Sequence, residues 1–125
     1  MTTAIFIAGF GALGGLTRYY LSAWVYEHLG RTFPYGTFAV NIIGAFFIGL
    51  LMDFSLRSTM ISQNLRLGLA IGFLGGLTTF STFSYETFKL LEDGQLLTAF
   101  INILASVVAC LALTWAGIFV ARQIA

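Results

Sequence analysis

One all-α domain of four transmembrane helices over residues 1–125 is what this sequence predicts, from its charge content, the spacing of its charges and its short connections. Charged residues make up only 9% of the chain and hydrophobic ones 58%, whereas an ordinary soluble domain carries about 25% charged residues. Water is therefore not its main solvent. A helix crosses the hydrocarbon layer in about 20 apolar residues, and three charge-free stretches suffice: Thr32–Met52, Leu67–Tyr85 and Gly94–Ala121. A fourth runs from Met1 to Thr17, is interrupted by Arg18, and resumes through Tyr19, Leu21, Trp24 and Val25. It reads as one helix containing an arginine.

Helix 1 is expected from Thr3 to about Tyr26. It lacks a basic leader and a small-residue cleavage pattern, so it is expected to be a span and not a signal peptide. Helix 2 is expected from about Tyr35 to Phe54, after Pro34, the only proline, which starts a helix without breaking one. Helix 3 is expected from Asn64 to Leu91 and helix 4 from Gly94 to Gln123, with Asp93 and Gly94 marking the turn between them. Arg57, Arg66 and Arg122 fall on one side of this plan, Arg31 and Lys89 on the other, with Arg18 nearer the second. Because short-loop cations set orientation, so even a count is expected of a chain inserted both ways round. Orientation fixed by other signals is the alternative. A bundle of four helices fills its own interior, so transport would need more than one subunit. Gly11 and Gly15, and Gly68, Gly72 and Gly76, have the spacing that lets membrane helices approach closely. Spacing does not choose between partners within and between subunits.

Several functions are disfavoured. Cys110 and His28 are the only residues of their kinds, which leaves no intrachain disulfide or clustered metal site. Net charge is +1 without a basic patch, which argues against nucleic acid. Gly9, Gly11 and Gly14 spell a dinucleotide fingerprint, but inside a membrane span and without a preceding strand. No nucleophile, base and metal constellation suggests an enzyme.

The densest signal is Gly75-Gly76-Leu77-Thr78-Thr79-Phe80-Ser81-Thr82-Phe83-Ser84, in the middle of helix 3. Two glycines before two β-branched threonines make a weak helix. Unwinding there would free carbonyls that must be buried, wetted or bonded, a bound cation being one partner; an unbroken helix using glycine for packing is the alternative. Phe80 and Phe83 project from nearly one helix face. Their positive ring edges suit a small anion, although core or lipid-facing positions account for most paired phenylalanines. Asn41, one turn after Thr37, is an amide that needs a partner in lipid. Asn102, Ser106, Cys110 and Thr114 recur at every fourth position of helix 4. They form either a polar track for an ion or interhelical hydrogen bonds. Arg18 is costly in the bilayer and is expected to face a wet vestibule; Glu86 is its ion-pair partner across a subunit or makes a separate polar contact. Asp53 with Arg57, and Glu27 with Arg31, have the spacing of helical ion pairs.

At these residues the chain resembles the bacterial fluoride channel family known as Fluc, over essentially its whole length. The resemblance rests on Gly14-Gly15-Leu16-Thr17-Arg18-Tyr19, Gly36-Thr37-Phe38-Ala39-Val40-Asn41, the Gly75–Ser84 run and the four-span plan. It implies a dual-topology antiparallel homodimer in the bacterial inner membrane, with helix 3 broken near mid-membrane. It further implies two pores that passively export fluoride and protect the cell from it. By this likeness Phe80 and Phe83 contact the ion, Asn41 donates to it near the entrance, and Ser81 and Thr82 add polar contacts. Arg18 stands at an electropositive vestibule. The carbonyls of Gly75 and Thr78, from both subunits, hold a structural sodium ion. Asn102, Ser106 and Thr114 extend the polar track, which Cys110 interrupts. Two other classes compete: a small proton-coupled multidrug exporter, which needs a carboxylate within helix 1, where none precedes Glu27, and a non-transporting subunit of a membrane assembly.

Overall fold

The computed structural model describes residues 1–125. All its regular structure is helical, in four spans each long and apolar enough to cross a membrane. The first is α1 (Thr2–Leu29) and the second α2 (Tyr35–Arg57). The third, Gln63–Glu92, consists of α3 (Gln63–Leu67), a π-helical segment (Gly68–Leu74), α4 (Gly75–Leu77) and α5 (Phe80–Glu92). The last is α6 (Leu96–Ile124). At 1.5 Å per residue even α2 extends about 34 Å, enough for a hydrocarbon layer of about 30 Å.

Local chemistry sets the ends. α1 runs on to Leu29, past the expected Tyr26, and stops at Gly30, whose φ of 83° turns the chain away. Arg31 is thereby taken off the helix, so it does not pair with Glu27; its guanidinium lies 4.4 Å from the centre of the Tyr26 ring. Gly94, expected to begin the last helix, belongs to the turn instead. With φ 77°, it closes α5 through bonds from Gly94 N to Leu91 O and from Gln95 N to Leu90 O, the paired pattern of a Schellman cap.

Glycines set the packing. α2 and α6 pack closely along one another; a Cβ on Gly49 would lie 2.2 Å from Thr114 O, and one on Gly117 2.1 Å from Phe46 O. α1 lies along the first half of the third span, where Gly72 and Gly76 meet the backbone of Ile7, Gly11 and Gly15. The small-residue spacings of helices 1 and 3 thus serve a contact within one chain. The small core is Val40, Leu74 and Leu77. Only 19 of 125 residues are buried, so lipid or another chain must cover most of the apolar surface. At the end bearing Arg57, Asp53 takes Arg57 Nε at 2.8 Å and Arg122 Nε at 3.7 Å, tying α2 to α6.

Candidate functional site

The helical backbone of the third span is interrupted at Thr78 and Thr79. Both are extended, with φ/ψ of −92°/156° and −152°/114°, between the end of α4 at Leu77 and the start of α5 at Phe80. Two side chains receive the donors that an unbroken helix would have used. Thr79 Oγ1 caps α5 by accepting Thr82 N at 3.1 Å, the role for which threonine is favoured at a helix start. Asn41 Oδ1 accepts Thr79 N at 2.8 Å while Asn41 Nδ2 donates to Thr79 O at 3.2 Å. In a continuous α-helix those two N–H groups would bond the carbonyls of Thr78 and Gly75. The ladder therefore supplies neither carbonyl with its usual donor. Gly76 O is served from outside the span: Arg18 Nε donates to it at 2.9 Å, placing a cation where a helix end carries partial negative charge.

Beside this point a cleft of about 410 Å³ opens between α2, the third span and α6. It gathers Asn41, Gly75, Thr78, Phe80, Phe83, Ser106 and Thr114, with Cys110 also on its wall. No charged side chain lines it. The rings of Phe80 and Phe83 have centroids 5.4 Å apart at 40°, and Phe80 is 78% exposed. Ser81 and Thr82 lie outside the cleft wall, grouped round the Thr79 hydroxyl, which donates to Thr82 Oγ1 at 3.0 Å and sits 3.3 Å from Ser81 Oγ. Arg18 lies outside it too.

The polar stripe of helix 4 divides. Asn102 is buried, donates to Thr87 Oγ1 at 2.9 Å and accepts from Ser106 Oγ at 3.3 Å. Thr87 Oγ1 in turn donates to Phe83 O at 2.7 Å, so this part of the stripe fastens α5 to α6. Thr114 Oγ1 donates to Ala45 O at 3.1 Å, fastening α6 to α2. Interhelical bonding thus occupies Asn102 and Thr114, while Ser106 and Thr114 also face the cleft. Within the chain Glu86 makes a polar contact separate from Arg18: its carboxylate accepts Tyr26 OH at 2.6 Å and the Thr37 hydroxyl.

Sequence reasoning missed Thr79 as the cap and clamp point, and the Tyr26–Thr37–Glu86 group. A threonine directly before an aromatic helix start, three residues ahead of Thr82, was the available signal for the first.

Comparison with known proteins agrees with the resemblance carried by the Gly75–Ser84 run. Residues 5–118 match the model of the family described as "CrcB-like protein, Camphor Resistance (CrcB)". The fluoride-specific ion channel FluC of Geotalea daltonii is 72% identical over 124 residues, covering 99% of this chain and all of that protein. Its namesake in Geotalea uraniireducens is 69% identical with the same coverage. That of Trichlorobacter lovleyi is 67% identical over 125 residues and the whole of both chains. The four spans and the channel names of these relatives mark a multi-pass membrane protein. With the match running through all four spans and about two residues in three shared end to end with these relatives, the chain is a member of the CrcB-like family.

Proposed function

We propose that the chain is a fluoride-selective channel that passively exports fluoride across the bacterial inner membrane, working as an antiparallel, dual-topology homodimer. The observation that carries this is the uncharged cleft in which the Asn41 amide, the Phe80 and Phe83 rings and the Ser106 and Thr114 hydroxyls converge, in a chain 63–72% identical to relatives named fluoride-specific ion channels. Positive ring edges and neutral donors attract a small anion without the fixed cation that would hold it fast. Asn41 faces the ion near the entrance, Ser81 and Thr82 add hydroxyls, and Arg18 makes the vestibule electropositive. A cleft of about 410 Å³ is far larger than the roughly 30 Å³ that one water occupies in the liquid. One chain alone leaves such a site too open to strip an ion of water. A second chain, inverted relative to the first, supplies the missing wall, and the near balance of flanking cations permits both orientations. Helix 3 is then broken near mid-membrane, at the centre of the dimer.

The donor set at the break fits a structural sodium ion. Gly75 and Thr78 offer hard carbonyl oxygens deprived of their helical donors, of the kind that coordinate sodium at unwound helices, and the chain has no carboxylate, histidine or cysteine cluster to compete. When bound, sodium offsets the mutual repulsion of the four carbonyl dipoles brought together by two subunits.

The test is growth of a bacterium stripped of its own fluoride exporters. Expression of the chain is expected to restore growth in fluoride, and the Phe80→Ile variant, present at equal level in the membrane, is not. Equal growth with and without the chain would overturn the reading.

A further inference from the structure

The side chain that faces the cleft also holds the break open. Thr79 N–H, the natural partner of Gly75 O in an α-helix, is taken by Asn41 Oδ1 at 2.8 Å. The same amide returns a bond from Nδ2 to Thr79 O at 3.2 Å, so one side chain fixes both polar groups of one backbone residue. The orientation of the amide is forced, since the backbone N–H only donates and the carbonyl only accepts. Thr79 is held extended, at φ −152° and ψ 114°, and cannot rejoin the helix while both bonds last.

We infer that Asn41 is a positioning residue for the cation site: by capturing Thr79 N–H it keeps the carbonyl of Gly75 out of the helical ladder and available to the ion. This rests on the sodium reading given above and assigns its control to a residue of a different helix, α2. The consequence is that Asn41 substitutions alter two separable properties, anion passage and cation affinity, whereas substitutions of Phe80 alter only the first. Nδ2 has a second hydrogen beyond the one given to Thr79, which is the donor left for an anion.

The experiment uses the purified full-length chain, with sodium chloride replaced stepwise by N-methylglucamine chloride, and follows dimer retention and thermal unfolding. For the unaltered chain, stability is expected to rise with sodium to a plateau, by mass action on the assembled form. Asn41→Leu, close to the same shape, and Asn41→Ala, without added bulk, are expected to need about ten-fold more sodium for half the effect, the scale set by one net hydrogen bond. Phe80→Ile is expected to keep the unaltered sodium response although its fluoride flux is lost. A purely space-filling Asn41 predicts that Leu keeps the response; a purely anion-donating one predicts that Leu and Ala both do. Either result overturns the proposal and leaves the sodium site standing. A sodium-insensitive unaltered chain removes both. A second measurement needs no variant: in lipid, solid-state NMR of the unaltered chain labelled at Thr79 ¹⁵N and Asn41 ¹³Cγ is expected to show a short contact between them. Its absence would also overturn the proposal.

Discussion

Replacing Gly44 by alanine puts a methyl carbon 2.1 Å from Cγ2 of Thr78, about 1.4 Å inside the 3.5 Å at which two carbons begin to attract best. Thr78 has little freedom to yield, because its hydroxyl donates to Leu74 O at 3.0 Å and its backbone is the first extended residue of the break. Overpacking of this kind costs about 1–3 kcal/mol. Thr78→Ser deletes the offending methyl and keeps the hydroxyl, at a cost of about 0.5–1.5 kcal/mol for the lost group. In the double variant the alanine methyl takes the vacated place, since the next atom it meets is Thr78 Cβ at 3.6 Å. The pair is therefore expected to be more stable than Gly44→Ala alone, with a favourable coupling of about 1–3 kcal/mol. The assay is a double-mutant cycle by unfolding in detergent, with fluoride efflux measured in parallel. Flux falls in Gly44→Ala as the break is displaced and recovers in the pair. A double variant no more stable than Gly44→Ala would refute the placement of Thr78 against α2.

Three other outcomes follow from the same geometry. Phe80→Ile and Phe83→Ile are each expected to abolish fluoride flux in a folded dimer, because size and apolarity are nearly kept while the ring edge is lost; Asn41→Asp is expected to be as severe, since it exchanges amide donors for an acceptor-only charge that repels the anion. Tyr26→Phe removes a hydroxyl that donates to the Glu86 carboxylate at 2.6 Å. It is expected to destabilise the fold by about 1.5–3 kcal/mol, the worth of a bond to a charged group, read by thermal unfolding. A reporter fused to the C-terminus is expected on both sides of the membrane, and three lysines added to one loop are expected to bias it to a single side. Activity then returns only when oppositely biased copies are expressed together.

The four spans were legible because lipid excludes charge, and the gaps from Arg31 to Asp53, from Arg66 to Glu86 and from Asp93 to Arg122 delimit three of the spans directly. The weak point of the third span was also legible, since Gly75, Gly76, Thr78 and Thr79 all disfavour helix. Partners were not. Sequence marked Asn41 as an amide in need of one, but the choice of Thr79 depends on how α2 sits against the third span. In these helices apolar residues occur on every side, so periodicity does not single out the buried face. Glu86 illustrates the same limit: it lies 60 positions from Tyr26 and 49 from Thr37, and only the folded chain brings the side chains of α1 and α2 within reach of it. The π-helical turn over Gly68–Leu74 had no sequence signal beyond glycines that also serve the contact with α1. For Asn102, the fourth-position spacing showed that it shares a face with Ser106, and Thr87 on α5 then decided that this face binds a helix.

Anion efflux from liposomes containing only this purified chain, with fluoride and chloride loaded in turn, decides whether the chain is a fluoride channel. Rapid, passive fluoride release that needs no proton gradient is expected, with chloride retained, and Phe80→Ile is expected to lose that release. Fluoride held as firmly as chloride by a folded, lipid-inserted protein would contradict that expectation.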